Sequence, residues 1–90
     1  MANNRITGII DIGSNTVRLA VYQLSDNGAY RVIDQGRWAA RLSLRMDDEG
    51  NLAEEAIDEL AEVLRHYRRI CQMHGAGSIR TVATAAVRAS

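Results

Sequence analysis

Apolar residues along this chain follow two rhythms, and the points where the rhythm changes divide it into elements. Residues 5 to 12, RITGIIDI, carry isoleucine at 6, 9, 10 and 12 and read as a mostly buried strand. Residues 16 to 24, TVRLAVYQL, alternate Val17, Leu19 and Val21 with Arg18, Ala20 and Tyr22, the period of two of a half-covered strand. Between them Gly13, Ser14 and Asn15 form a tight turn, because strands use these residues poorly. SDNG at 25 to 28 carries the next turn signal, and 29 to 45 reads as a third strand in which Gly36 marks a bulge. After the polar MDDEGN at 46 to 51, Leu60, Val63, Leu64, Tyr67, Ile70 and Cys71 recur at spacings of three and four, predicting a helix over 52 to 74. Asn51 with Glu54 resembles a capping box, Gly75 suits a left-handed stop, and five acids precede Arg65, Arg68 and Arg69, in keeping with the helix dipole. SIRTVAT at 78 to 84 reads as a buried strand and AAVRAS as the first turn of another helix. The predicted class is α/β, in the order β-β-β-α-β.

Length changes this picture by limiting the core. Ninety residues bury a smaller fraction of their surface than a larger domain does, so residues 1 to 90 read as one partial domain with no internal boundary, a piece of something longer. Eleven basic residues balance eleven acidic ones, and with no net field to attract nucleic acid or an anionic membrane, any anion must be bound locally. The single cysteine permits no intrachain disulfide, and no apolar stretch is long enough to span a bilayer, so a cytoplasmic setting is expected.

The candidate chemistry lies in DIGSN, residues 11 to 15. A turn carrying Gly13, Ser14 and Asn15 gathers several backbone N–H groups, a hydroxyl and an amide in one concavity, the kind of nest that binds phosphate oxygens. Asp11, at the end of the preceding strand, would repel phosphate directly but can hold a hydrated divalent cation or orient an attacking water. Spacing alone leaves a second reading open, in which GSN is an ordinary hairpin turn and Asp11 its cap.

DIGSNTVRLAVY resembles the first phosphate motif of the exopolyphosphatase and guanosine pentaphosphate phosphohydrolase (Ppx/GppA) family, and TVATAAVRAS is similar to that family's V-A-T-S-A-V-R-E-A signature. The VRLAVYQL, RVIDQGRWAARLSL and DEGNLAEEAIDEL segments match in order and spacing, so the resemblance covers essentially the whole chain. It implies a ribonuclease H-like fold of the actin-like ATPase superfamily, with a three-strand meander, a crossover helix and a fourth strand beside the first. It also implies hydrolysis of a terminal phosphoanhydride, in inorganic polyphosphate or guanosine pentaphosphate, with Mg²⁺ as the metal. Gly13, Ser14, Asn15 and Arg88 would then be phosphate ligands, Thr84 a weaker one, and Asp11 would serve the metal or position phosphate. Two positions depart from the pattern: Ala85 replaces a small hydroxyl residue, and Ala53 replaces the usual helix-capping serine or threonine, which shifts the cap to Asn51.

The family's catalytic glutamate, in a G-x-E-E-A block, and its second phosphate loop, D-x-G-G-G-S, do not occur in these 90 residues; the resemblance places both beyond Ser90, so no catalytic residue is expected between Met1 and Ser90. It therefore implies about half of a site, inactive by itself, with the rest of a longer chain covering the edge strand at 78 to 84. Nucleic acid and membrane are not expected as partners. A homodimer is compatible with the sequence, which does not set the oligomeric state. Two other readings remain: an ATP-dependent kinase of the same superfamily, and a stand-alone module that binds a phosphate-bearing ligand or pairs its edge with a partner.

Other residues have plainer roles. Cys71 and His74, with His66 nearby, lack the second ligand pair of a metal site. Arg65, Arg68 and Arg69 suit a solvated helix C-terminus better than a nucleic-acid surface. Trp38 reads as packing, Arg18 and Arg41 as strand cations near a phosphate cleft, and Asp47, Asp48 and Glu49 as a loop without calcium-loop spacing.

Overall fold

A computed structural model describes residues 5 to 83. Strands β1 (Arg5–Ile12), β2 (Val17–Leu24) and β3 (Tyr30–Trp38) form an antiparallel meander; α1 (Glu54–Met73) then crosses over and β4 (Ser78–Ala83) pairs with β1 in parallel. The sheet order is β3-β2-β1-β4, which leaves β4 at an edge among the described residues. This is the ribonuclease H-like arrangement expected above. The predicted first turn of a second helix, from Ala85 to Ser90, lies outside the described residues.

The period of two in β2 settles which face is covered. Val17, Leu19 and Val21 are buried with Ile10 and Ile12 of β1, and α1 lies across them with Tyr67 and Cys71 buried and Leu60, Val63, Leu64 and Ile70 packed against the same cluster. Close approach of the helix depends on two glycines. A Cβ on Gly8 would overlap the Cys71 sulfur, and one on Gly36 would come within 3.1 Å of the Tyr67 ring. Gly36 is therefore a packing site rather than the bulge its position suggests. The irregularity lies at Ile33, which is skipped where Val21 pairs with Asp34 and Tyr22 with Val32. Trp38 is half-buried against the core, in its expected packing role.

The third strand is shorter than its sequence pattern. It ends at Trp38, and Leu42–Arg45 form a short 3-10 helix. Leu42 is fully buried while Leu44 is 77% exposed, so the apparent alternation through 45 is not a strand's two faces. The helix start also differs from expectation. The N-cap of α1 is Ala53, without a side-chain cap, and Asn51 belongs to the preceding loop, where its N–H donates to Asp47 Oδ1. The same Asp47 oxygen accepts from the Glu49 N–H, so the acidic run is an internally bonded turn. At the other end Gly75, at φ 75°, closes the helix with Ala76 N–H on Cys71 O and Gly75 N–H on Gln72 O, the Schellman pattern.

An ion pair and a side-chain hydrogen bond fasten the periphery. Arg45 meets Glu59 at 2.7 Å, tying the 3-10 segment to α1, and His74 Nε2 meets Asp34 Oδ2 at 2.8 Å, tying the end of α1 to β3. His74 is thus engaged structurally, and Cys71 is buried with its thiol pKa pushed up by that burial. The His74 hydrogen bond, helped by the Gln35 N–H, holds the Asp34 carboxyl below its ordinary value of 3.8. A carboxyl depressed in the folded state stabilises it above the unfolded pKa, and that contribution is lost as pH falls through the folded value. Asp34→Asn is accordingly expected to flatten part of the acid limb of stability below about pH 4, as read by urea midpoints at several pH values. Glu59, whose pKa the Arg45 hydrogen bond also lowers, contributes in the same direction and is untouched by that substitution.

Candidate phosphate site

The candidate site is the four-residue loop joining β1 to β2. None of Gly13, Ser14, Asn15 and Thr16 has positive φ, in keeping with loops of this length, which are most often built around a type I turn. One internal bond closes the turn, from Gly13 N–H to Thr16 O at 3.0 Å. The remaining support comes from outside. Arg41 N–H donates to Asn15 O at 2.8 Å, Ser43 N–H to Ser14 O at 2.9 Å, and Ser43 Oγ–H to Asn15 Oδ1 at 2.6 Å.

That support depends on Arg41, at φ 50° and ψ 48° the one non-glycine residue with positive φ among those described. A left-handed arginine is unfavourable on its own and persists only where neighbours hold it. Here Ala40 and Leu42, buried on either side, anchor the segment in the core. Arg41 is thus not a strand residue, as the alternation through 45 suggests, but the pivot of a brace against the turn.

The brace determines which way the turn's donors face. In a trans peptide the C=O and the following N–H point in opposite directions, and the described residues contain no cis bond. With Ser14 O and Asn15 O both directed at the 41 to 43 segment, the Asn15 and Thr16 N–H groups are aimed away from it. Neither has an acceptor among the described residues, and the same holds for the Ser14 N–H. The Gly13 N–H is already used within the turn, so the Gly13 contribution is its compact backbone. Concave, outward N–H groups on a braced turn suit an anion.

Asp11 lies one residue before the end of β1, directly opposite Arg18 of β2, and Arg18 in turn pairs with Arg37 of β3. These three charges form a row on the face of the sheet opposite α1, since Ile10, Ile12, Val17 and Leu19 occupy the covered face. Arg37, which carried no signal in the sequence, enters through this register. Like charges directly opposite one another are unfavourable unless something neutralises them, and an anion would do so. A divalent ion such as Mg²⁺ takes oxygen ligands and keeps several waters, so Asp11 fits as one protein ligand. No cluster of three or more His, Cys, Asp or Glu side chains occurs among the described residues. Thr84 and Arg88 lie outside the described residues, as does Ser90, beyond which the resemblance places the catalytic glutamate. No described helix is long and apolar enough to cross a membrane.

Residues 20 to 90 match the model of the Ppx/GppA phosphatase family. An uncharacterized protein of Streptomyces coelicolor is 33% identical over 84 residues, covering 93% of this chain and 25% of its own length. Exopolyphosphatase 1 of Mycobacterium leprae is 28% identical over 81 residues, covering 90% of this chain and 24% of its own. Among solved structures, the Aquifex aeolicus Ppx/GppA family member superposes with a TM-score of 0.83 at 29% identity over 92% of this chain and 27% of that one. An exopolyphosphatase from Cytophaga hutchinsonii gives 0.82 at 26% identity over 91% and 26%. The chain spans about a quarter of the length of the relatives it matches. Motif, strand order and these likenesses agree, and the chain belongs to the Ppx/GppA phosphatase family.

Proposed function

We propose that this chain is the amino-terminal part of a phosphohydrolase that removes terminal phosphate from inorganic polyphosphate, guanosine pentaphosphate being the alternative substrate with the same terminal phosphoanhydride. The observation that carries this reading is the braced turn at 13 to 16, whose outward N–H groups match a phosphoryl group. The named exopolyphosphatases among its relatives support polyphosphate as the substrate.

In this reading the Asn15 and Thr16 N–H groups, the Ser14 hydroxyl and the Asn15 amide hold oxygens of the terminal phosphoryl group. Arg88 adds a bidentate donor, with Thr84 beside it. Donors fixed before substrate arrives need no reorganisation as charge builds on those oxygens, and this is the chain's share of catalysis. Asp11 would hold a divalent cation, taken as Mg²⁺, which supplies charge neutralisation when bound. An in-line attack also needs a group to position water, and the resemblance puts that glutamate in further chain after Ser90. The 90 residues by themselves are therefore expected to bind but not to hydrolyse.

The test compares the complete enzyme with the 90-residue chain on long-chain polyphosphate and on guanosine pentaphosphate, following orthophosphate. Release by the complete enzyme alone supports the proposal. ATP-dependent phosphorylation of an acceptor without orthophosphate release would instead identify a kinase, and saturable binding with no turnover by either protein would identify a binding module.

A further inference from the structure

We propose that Ser43 is a positioning residue that fixes the orientation of the Asn15 side-chain amide, so that its NH₂ group rather than its oxygen faces the bound phosphoryl group. This inference rests on the phosphate-binding role proposed for Asn15.

The argument begins with a distance. Ser43 Oγ and Asn15 Oδ1 are 2.6 Å apart, within the range of an O–H···O bond and shorter than an N–H···O bond allows. The amide oxygen is therefore the atom held by the hydroxyl, and the two Nδ2–H donors are left for a ligand. A serine hydroxyl has a single proton, and Ser43 donates it here. Its own position is well determined, because its N–H is bonded to Ser14 O and the preceding Leu42 is fully buried.

Asn15 is otherwise exposed, and an exposed amide rotates. Without the serine hydroxyl it would present an oxygen to the phosphate for part of the time, and like-signed oxygens repel. With the hydroxyl in place, the Asn15 NH₂ adds its two donors to the outward Asn15 and Thr16 N–H groups. Such a surface favours a multiply charged oxyanion over a cation or a neutral ligand. Ser43 sets the fraction of molecules whose amide faces the ligand correctly; once phosphate is bound on the NH₂ group the same donors act as in the parent enzyme, so the effect of Ser43 belongs to binding.

The experiment uses the complete enzyme carrying Ser43→Ala or Ser43→Thr. Loss of one orienting hydrogen bond is expected to raise KM for polyphosphate about three- to tenfold with little change in kcat, and Ser43→Thr, which keeps a hydroxyl, is expected to restore KM. A merely structural role would lower the melting temperature without separating KM from kcat. An unchanged KM in Ser43→Ala, or failure of threonine to rescue it, overturns the proposal. A second readout is independent of turnover: the Asn15 side-chain amide resonances of enzyme labelled with ¹⁵N-asparagine, titrated with tripolyphosphate. They should move in the parent enzyme and respond weakly in Ser43→Ala. Resonances that stay still in the parent enzyme also overturn it. If they move while the enzyme releases no phosphate, the hydrolase reading fails and the role of Ser43 stands.

Discussion

Asn15→Asp is expected to lower phosphate release from polyphosphate by about 10²-fold or more, the loss typical of removing a preorganised oxyanion donor. The substitution is nearly isosteric, and the new carboxylate still accepts the Ser43 hydroxyl that Asn15 Oδ1 accepts now. The turn, closed by Gly13 on Thr16 and braced by Arg41 and Ser43 through backbone carbonyls, should therefore persist. Only the ligand side changes, where two N–H donors give way to a charged acceptor facing phosphate oxygens. Asn15→Ala removes the donors without adding charge and should lose less. Steady-state kinetics of both variants, with circular dichroism melts to establish folding, test this directly. Equal rates for Asn15→Asp and the parent enzyme would remove Asn15 from the site.

Gly8→Val is expected to have the largest effect on stability. Gly8 lies on the covered face of β1, where any Cβ would overlap the Cys71 sulfur and come within 3.2 Å of Cys71 Cβ. Cys71 is fully buried in the last turn of α1 as part of the core cluster, so neither the side chain nor that end of the helix can move aside without opening the core. Overpacking of this kind costs about 1–3 kcal/mol, more for a branched side chain, a large share of what a domain of this size has. A double-mutant cycle isolates the cause. Gly8→Ala alone should lower the urea midpoint, Cys71→Ala alone should lower it by opening a small cavity, and the pair should be less damaging than the sum. Strict additivity would mean that Gly8 is needed for its backbone and not for the space above it.

The parts of the fold that are legible in the sequence are those set by one local period. The alternation of Val17, Leu19 and Val21 fixes the covered face of β2, and the spacing of Leu60, Val63, Leu64, Tyr67 and Cys71 fixes the buried stripe of α1, because each pattern is long enough to exclude the other period. Gly75 marks the helix end through a conformation that glycine adopts freely. DIGSN marks the candidate site through its residue types, and the comparisons bear out the family they resemble.

The stretch from Ala39 to Arg45 mimics a strand for a physical reason. Ala40, Leu42 and Leu44 alternate with Arg41, Ser43 and Arg45, which is indistinguishable over six residues from a strand's two faces. The chain leaves the sheet there because Arg41 and Ser43 find acceptors on Asn15 and Ser14, far earlier in the chain, and no local pattern encodes a partner so distant. The bulge at Ile33 in place of Gly36 has a similar origin: the glycine is required by Tyr67 lying over it, a contact made only once the helix docks.

The sequence by itself determined the order of the elements, the faces that β2 and α1 bury and the residues gathered at the β1–β2 turn, since all three follow from side-chain type and periodicity within single elements; β4, whose run reads as buried, is exposed at all its residues but Ile79. Only the tertiary structure decided how that turn is held, which of its N–H groups remain available, that Arg37 joins Arg18 and Asp11 in one row, and that Ser43 meets Asn15. These depend on register and on hydrogen bonds between segments far apart in the chain, which exist only once the sheet and helix have packed.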